Sequence, residues 1–299
     1  MSLSRFAMSL LLVGPLLAGC ARPPAESGLM AYAQGVSRGD ITGSIASAAT
    51  GDLDQAMPDP IFASGRLGGR TLAVGSTADI VLRPREVVLT FDDGPRPGKT
   101  PQILATLDRF GVKATFLMLG SAAQAHPELA QQVALHGNTV GSHTFSHVDL
   151  GTLDRQAALD EIAHGERAVA TALAGAGQQL SPFFRFPYLS QTGFLRTNLM
   201  IGSTVVLDVD IDSKDYFSDS PEVVAERTLD RVEQRGSGII LFHDIHQRTV
   251  DLLPDLLAAL ERRGYSVVRL VPRDPGVFGR DVITAQAGAA LPGADPARE

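Results

Sequence analysis

Residues 87–94 read VVLTFDDG, a continuous apolar run that ends in two adjacent carboxylates. A strand exposed on one face alternates apolar and polar residues, whereas a strand covered on both faces reads as an unbroken apolar run. We therefore predict that this stretch is a buried strand of a parallel sheet. The Gly-x-Gly-x-x-Gly turn that is typical of dinucleotide-binding folds does not follow it.

Six further apolar runs follow along the chain, and most are separated by stretches with helical spacing of apolar residues. A glycine follows four of these stretches, at Gly111, Gly137, Gly236 and Gly264, where a helix C-cap favours a residue that tolerates positive φ. Repeated strand–helix–strand units predict parallel strands with crossover helices, and hence an α/β barrel or an open doubly wound sheet. The seven predicted strands are Val87–Phe91, Ala114–Leu119, Thr139–Ser142, Phe183–Phe186, Thr204–Val209, Gly238–Phe242 and Ser266–Leu270.

The first nineteen residues are typical of an export signal. Arg5 precedes an uncharged, Leu-rich stretch over residues 6–19, which has the length of a signal-peptide core and is short for a membrane span. The stretch runs into LAGC at residues 17–20, which resembles the bacterial lipobox, and Cys20 is the single cysteine of the chain. We predict a lipoprotein signal peptide over residues 1–19 and lipidation of Cys20, with an ordinary cleavage site beside an unmodified cysteine as the alternative.

Composition predicts a flexible segment on each side of one folded domain. Residues 20–83 are rich in Ala, Gly, Ser and Asp, and they cannot bury enough apolar surface to offset their conformational entropy. They are predicted to be a linker that starts at the lipidated cysteine, with a short strand near Thr71–Val74 that could pack on the domain. The folded domain is assigned to residues 84–272, and residues 273–299 to a disordered tail rich in Gly, Ala and Pro.

The charge of the chain argues against one class of partner. Its 33 acidic residues outnumber its 26 Lys and Arg residues, so the net charge is −7 at pH 7, and the sequence contains no basic run. Nucleic-acid binding depends on clustered Lys and Arg side chains that neutralise phosphates. We therefore predict no nucleic-acid partner, and the sequence identifies no protein partner.

Polar side chains lie at the ends of five predicted strands. The carboxyl ends of parallel barrel strands form one face, so we expect these side chains to converge there. They are Asp92 and Asp93 after the first strand, His143 and His147 after the third, Arg185 in the fourth, Asp212 and Asp215 after the fifth, and His243 after the sixth.

The two histidines suggest a metal site. His143 and His147 are four residues apart, which would place both imidazoles on one side of a helical turn. A third ligand from Asp93 or Asp92 would leave one open position, as in catalytic zinc sites. The alternatives are two surface histidines at a helix start and an ordinary Asp-Gly turn. However, two adjacent carboxylates at a strand end repel each other unless a cation or a proton separates them.

These residues fall in five ordered motifs that resemble those of the polysaccharide deacetylase family, also known as the NodB homology domain or carbohydrate esterase family 4. The resemblance covers about residues 85–270 and implies a distorted (β/α) barrel with about seven parallel strands. Two departures are Leu189-Ser190, where the family usually has Gly, and Tyr216, where it usually has Trp. The motifs are TFDDG at residues 90–94, His143-x-x-x-His147, RFPY at 185–188, DSKDY at 212–216 and LFH at 241–243.

The resemblance implies a divalent metal cofactor, most often Zn²⁺, with Co²⁺ or another divalent ion as the alternative. Asp93, His143 and His147 would be its ligands. Asp92 would be the general base that takes a proton from the attacking water. Arg185 would hold Asp92 in place.

The resemblance also implies roles for the remaining motifs. His243 would be the general acid that protonates the leaving amine, and Asp215 would orient it. The backbone N–H of Tyr188 would stabilise the oxyanion. Tyr216 and Leu241 would form apolar walls around the acetyl methyl group, although the smaller, hydroxylated Tyr216 predicts a wider or wetter pocket than Trp would give.

Together these features predict a metal-dependent hydrolase of the cell envelope, lipid-anchored to a membrane on the periplasmic or other extracytoplasmic side. The expected reaction removes N-acetyl groups from amino sugars of a polysaccharide, either peptidoglycan or an exported N-acetylglucosamine polymer. Two alternatives remain at this stage. The protein could be an esterase that removes O-acetyl groups from a polysaccharide, or a glycan-binding lipoprotein without turnover.

Overall fold

The computed structural model describes residues 67–274. The predicted signal peptide, Cys20, the predicted linker as far as residue 66 and the predicted tail from residue 275 onward lie outside the described residues. Within residues 67–274, no helix is both long enough and apolar enough to cross a membrane.

The described region contains a parallel sheet with nine strands. The strands are β1 (Gly68–Val74), β2 (Glu86–Asp92), β3 (Thr115–Met118), β4 (Thr139–Ser142), β5 (Phe183–Phe184), β6 (Val205–Val206), β7 (Ile211–Asp212), β8 (Gly238–His243) and β9 (Ser266–Pro272). Their order is β1-β9-β2-β3-β4-β5-β6, and β8 pairs with the other edge of β2 and with β7. Within the described part of the chain, β6 and β7 form no ladder with each other, so the sheet is open there.

Seven α-helices connect the strands of the described region. They are α1 (Thr100–Arg109), α2 (Gly120–Ala125), α3 (Pro127–Leu135), α4 (Arg155–Ala174), α5 (Gly193–Ile201), α6 (Pro221–Arg235) and α7 (Gln247–Arg262). Helix α4 begins after Asp154, whose side chain accepts a hydrogen bond from the N–H of Ala157 at 2.8 Å. The four glycines predicted to follow helices all have positive φ, for example 82° at Gly236 after α6, so that prediction is confirmed.

All seven predicted core strands are present, the short strand predicted near Thr71–Val74 is present as β1, and one further strand, β7, occurs. The predicted fourth and fifth strands shorten to the two-residue strands β5 and β6. The additional strand β7 is also only two residues long, too short to give a periodic signal, and no helix separates it from β6. Asp212 therefore lies within β7 rather than in a loop after the predicted fifth strand.

The boundary predicted between linker and domain at residue 83 is too late. Strand β1 pairs in parallel with β9, and its side chains alternate between partly buried and exposed positions until Val74, which is fully buried. Arg70 Nε also donates to Glu86 Oε1 at 2.8 Å. Residues 67–83 therefore belong to the folded domain. So does Arg273, the first residue of the predicted tail, because its N–H donates to the carbonyl of Val74 at 2.9 Å.

Side chains alternate between the two faces of β2, and its polar residues share a face with Val88, which we call the inner face. Val87, Leu89 and Phe91 pack in one large cluster with apolar residues of the helices, whereas Val88 packs in a separate cluster with residues of β3, β8 and β9. Burial of each such side chain contributes roughly 1.5–3 kcal/mol. Since side chains two residues apart share a face, Asp92 lies on the inner face with Val88, at the carboxyl end of the strand.

Candidate active site

Three potential ligand atoms converge at the carboxyl edge of the sheet. Asp93 follows β2, and His143 and His147 follow β4. Asp93 Oδ1 lies 3.5 Å from His143 Nε2 and 3.5 Å from His147 Nε2. The three atoms all lie within 4.8 Å of one another. The strand-end pattern of the sequence thus correctly predicted that these residues meet.

The segment between the two histidines is a loop, and the predicted helical turn is wrong. Thr144 and His147 have φ of 69° and 60°, which is the left-handed region that a right-handed helical turn does not contain. Asp93 also has positive φ, at 77°. Non-glycine residues in this region cost about 1–3 kcal/mol each and persist only where surrounding contacts hold them. The site is therefore built on backbone that its neighbours constrain.

A hydrogen bond on the far side of its ring orients His143. Its Nδ1 lies 2.8 Å from the carbonyl oxygen of Arg185, so Nδ1 carries the proton and the Nε2 lone pair faces Asp93. Burial lowers the pKa of His143 below its ordinary value, even though Asp92 and Asp93 raise it. Burial thus favours the neutral imidazole, and the hydrogen bond to Arg185 selects the tautomer with a free Nε2, which is the form that binds metals.

The donor set fits a divalent cation. Asp93 Oδ1 is buried and has no hydrogen-bond partner within residues 67–274. A buried carboxylate oxygen without a donor is costly, and a cation at this position would remove that cost. A catalytic zinc site typically has three protein ligands, such as two imidazoles and one carboxylate, and an open fourth position. The residues present are therefore suitable ligands for such an ion.

The neighbouring carboxylate, Asp92, has a different environment. Its Oδ1 accepts a hydrogen bond from Arg185 Nη1 at 2.8 Å, and its Oδ2 lies 3.8 Å from His143 Nε2. Arg185 is only 1% exposed, and it also donates to Thr90 Oγ1 at 2.8 Å and to the carbonyl of Leu207 at 3.1 Å. These contacts fix the guanidinium, which in turn fixes Asp92. The two adjacent carboxylates therefore have different environments. Asp93 faces both imidazoles, whereas Asp92 is paired with Arg185.

A second pair joins His243, which is partly buried, to the buried carboxylate of Asp215. His243 Nδ1 lies 2.7 Å from Asp215 Oδ1, while Asp215 Oδ2 accepts from the N–H of His243 at 2.8 Å and from Thr249 Oγ1 at 2.6 Å. Burial alone would raise the pKa of Asp215, but these hydrogen bonds lower it below its ordinary value. Burial lowers the pKa of His243, but the hydrogen bond and charge of Asp215 raise it to about 9. His243 therefore favours the imidazolium form at neutral pH.

The side chain of Tyr216 stands beside this pair. Its ring centroid is 5.5 Å from that of His243, and its hydroxyl donates to Asp212 Oδ2 at 2.9 Å. Burial and this hydrogen bond raise the pKa of Tyr216 to about 12. Leu241 lies on the inner face of β8, two residues before His243. Because Asp212 binds the Tyr216 hydroxyl, that hydroxyl is not a free donor in the pocket.

Tyr188 lies on the opposite side, against a histidine of the ligand group. Its ring centroid is 4.5 Å from that of His147, and the side chain is 68% exposed. Tyr188 and Leu189 have φ of 58° and 55°. Glycine adopts this conformation without strain, whereas a residue with a Cβ does not. Leu189 adopts the same kind of conformation.

Sequence reasoning missed two polar residues that hold the site. Thr249, in the first turn of α7, donates to Asp215 across 34 residues of sequence. Glu161, in α4, accepts hydrogen bonds from the loop between the two histidines. Neither lies in a motif or at a strand end, so no local signal could have identified either residue.

The fold and this site define a class of protein: a parallel α/β protein with two ion pairs, Asp92–Arg185 and Asp215–His243, beside a candidate metal centre. The model of the polysaccharide deacetylase family matches residues 80–199. A chitin deacetylase of Colletotrichum lindemuthianum is 31% identical over 240 residues, which cover 76% of this chain and 92% of that relative. The chain therefore belongs to the polysaccharide deacetylase family, and it is a hydrolase.

Two bacterial relatives extend the comparison. The peptidoglycan-N-acetylmuramic acid deacetylase of Bacillus subtilis is 32% identical over 183 residues, which cover 61% of this chain but only 37% of that protein. The solved structure of a peptidoglycan deacetylase of Bdellovibrio bacteriovorus has a TM-score of 0.63 and 34% identity, and covers 74% of this chain and 60% of that one. The chain thus matches only part of each bacterial relative. The α/β fold expected from the family resemblance is confirmed.

Proposed function

We propose that this protein removes N-acetyl groups from amino sugars of a polysaccharide, releasing acetate and a free amine. The observation that carries the proposal is the placement of two ion pairs, Asp92 with Arg185 and His243 with Asp215, beside the Asp93, His143 and His147 group. Relatives named as chitin, peptidoglycan and chitooligosaccharide deacetylases all act on acetylated amino sugars, which supports this substrate class.

The first half of the reaction needs a base. A divalent ion held by Asp93, His143 and His147 would polarise the amide carbonyl and activate water as the nucleophile. Asp92 accepts the proton of the attacking water through Oδ2, because Arg185 occupies Oδ1. The fixed guanidinium keeps this oxygen next to the ligand group, where Oδ2 lies 3.8 Å from His143 Nε2.

The second half needs an acid. His243 uses Nδ1 to bind Asp215, so its Nε2–H is available to the substrate. It donates that proton to the amide nitrogen as the C–N bond breaks, and acetate and the amine leave. The backbone N–H of Tyr188 stabilises the oxyanion, while Tyr216 and Leu241 contact the acetyl methyl group.

Acetate and amine release by the full chain tests this function. The Zn²⁺-loaded protein is incubated with N-acetylglucosamine oligomers, peptidoglycan and an O-acetylated polysaccharide, and both products are measured. We expect acetate and amine in equal amounts from an N-acetylated substrate. Acetate without amine would identify an O-acetyl esterase, and binding without either product would identify a glycan-binding protein.

We further propose that the protein is anchored in the cell envelope through Cys20, where the substrate is peptidoglycan or an exported N-acetylglucosamine polymer. The lipobox-like LAGC at residues 17–20 supports this location. Two or more acyl chains, at about 0.8 kcal/mol per buried methylene, make such an anchor stable. Ala21 rather than Asp follows the cysteine, which by resemblance to the Gram-negative sorting pattern favours the outer membrane.

Cys20→Ala is expected to move the protein from the membrane fraction to the soluble fraction, because the acyl chains have no other attachment. The measurement is fractionation of cells that express each form, with mass spectrometry of the mature N-terminus. Ala21→Ser, which keeps the cysteine, should stay in the membrane fraction. Wild-type protein recovered wholly in the soluble fraction after processing would refute the anchor.

The pH dependence of kcat/KM is expected to report the His243–Asp215 pair. His243 must be protonated to act as acid, so activity falls as pH rises through its pKa, which Asp215 raises to about 9. Asp92 and Asp93 contribute to that rise, and a cation on Asp93 would offset their part. Asp215→Asn removes the main stabilising charge, so the alkaline limit should move down toward about 6.5 or below.

The comparison is a pH–rate profile of wild type and Asp215→Asn on one substrate. Asp212→Asn is the matched control, because Asp212 binds the Tyr216 hydroxyl rather than His243. Its alkaline limit should stay where that of the wild type lies. An alkaline limit that does not move in Asp215→Asn would show that Asp215 does not support the acid.

A further inference from the structure

The loop that carries both histidines of the ligand group is held by atoms outside it. This ligand loop, residues 143–147, has left-handed φ at Thr144 and His147, so it is not a conformation that the chain adopts by itself. Its three central residues are Thr144, Phe145 and Ser146. Since unpaired backbone polar groups are costly, the partners of these residues identify what holds the loop in place.

Helix α2 binds the carbonyl groups of the ligand loop. The N–H of Gly120 donates to the carbonyl of Thr144 at 2.8 Å, and the N–H of Ser121 donates to the carbonyl of Phe145 at 3.0 Å. These two donors belong to the first turn of α2, where backbone N–H groups have no partner within the helix.

A single carboxylate oxygen on α4 binds the donors of the ligand loop. Glu161 Oε1 accepts from the N–H of Phe145 at 3.2 Å, from the N–H of Ser146 at 2.6 Å and from Ser146 Oγ at 2.8 Å. Helix α4 also packs directly on the loop backbone, because a Cβ added at Gly165 would lie 2.3 Å from the carbonyl carbon of Thr144. Glu161 is thus on a helix in close contact with the loop.

We propose that Glu161 is a positioning residue that sets the affinity of the site for a divalent metal by holding the ligand loop. This inference rests on the proposed metal site at Asp93, His143 and His147. Without Glu161, two backbone N–H groups and one hydroxyl lose their protein partner, so the segment that leads to His147 is held only by the α2 hydrogen bonds and by packing on Gly165. Loss of such outer contacts typically weakens metal binding by about 10- to 100-fold.

Three substitutions separate hydrogen bonding from charge. Glu161→Gln keeps an oxygen that can accept the same hydrogen bonds but removes the negative charge. Glu161→Asp keeps the charge but is one methylene shorter, so it cannot reach the loop without a backbone shift. Glu161→Ala removes both. Positioning by hydrogen bonds predicts that Gln retains wild-type affinity while Asp and Ala lose it.

The experiment measures the Zn²⁺ affinity of the full chain by competition with a chromophoric chelator, and the visible absorption spectrum of the Co²⁺-loaded protein. We expect about 10- to 100-fold weaker Zn²⁺ binding and an altered Co²⁺ spectrum for Glu161→Ala and Glu161→Asp. The matched control is Asp160→Ala, since Asp160 is an exposed neighbour on α4 that accepts from Gln156. Its affinity and spectrum should equal those of the wild type.

Two results would overturn the inference. The first is wild-type affinity in Glu161→Ala. The second is weak binding in Glu161→Gln with full binding in Glu161→Asp, which would assign the effect to charge. If Glu161→Ala does not fold, the Gln and Asp variants decide the question by themselves. Failure of the wild type to bind Zn²⁺ would instead contradict the proposed metal site. This result is distinct from failure of the Glu161 inference, because it is measured without any Glu161 variant.

Discussion

Asp92→Asn is expected to lower kcat by about 10²- to 10⁴-fold, which is the usual contribution of a general base. The amide has the shape of the carboxylate, and its oxygen can still accept the 2.8 Å hydrogen bond from Arg185 Nη1. It cannot accept a proton from water. The fold and the metal affinity should therefore persist while kcat falls.

The Asp93→Asn variant is expected to behave differently from Asp92→Asn. Asp93 Oδ1 faces both imidazoles at 3.5 Å, so its replacement should weaken metal binding first and turnover as a consequence. Metal content and kcat are measured for both variants at saturating substrate. If Asp92→Asn lost the metal and Asp93→Asn kept it, the roles of the two carboxylates would be reversed.

Removal of the metal is expected to abolish turnover, and Zn²⁺ or Co²⁺ to restore it. The three ligands must be deprotonated to bind, and burial of His143 already lowers its pKa, so the site is suited to hold an ion near neutral pH. The test is activity and metal content after dialysis against a chelator, followed by addition of each ion. The His143→Ala variant should be inactive, and neither ion should restore its activity.

A histidine outside the site provides the control. His126 lies at the junction of α2 and α3, and His126→Ala should keep the metal and respond to chelation as the wild type does. Full turnover in a preparation with no measurable metal would contradict the metal-dependent mechanism.

The fold could be predicted from sequence where strands are covered on both faces, because burial of every residue leaves an apolar run such as VVLTF at residues 87–91. Strand β7 could not, because Ile211–Asp212 is too short to show periodicity. Strand β1 was mostly assigned to the linker because Gly68 and Gly69 open it within a segment rich in small residues. Its place in the sheet depends on pairing with β9, almost 200 residues away in the chain.

The sequence was enough to predict which residues meet in the candidate site, because parallel strands bring their carboxyl ends together. Its local geometry was not. The spacing of His143 and His147 is the same in a helical turn as in a loop, and the loop conformation depends on contacts with α2 and α4. The hydrogen bond from the Tyr216 hydroxyl to Asp212 is another feature that depends on the folded geometry and has no local signal in the sequence.

The pairing of β1 also determines at which end of the sheet the described chain begins. Gly68 pairs with Val267, and Val267 pairs with Val87, so the described chain enters the sheet level with the start of β2. Asp92, at the other end of that strand, lies about 17 Å farther along its axis, at about 3.3 Å per residue. The described chain therefore begins, at Leu67, at the end of the sheet away from the candidate active site.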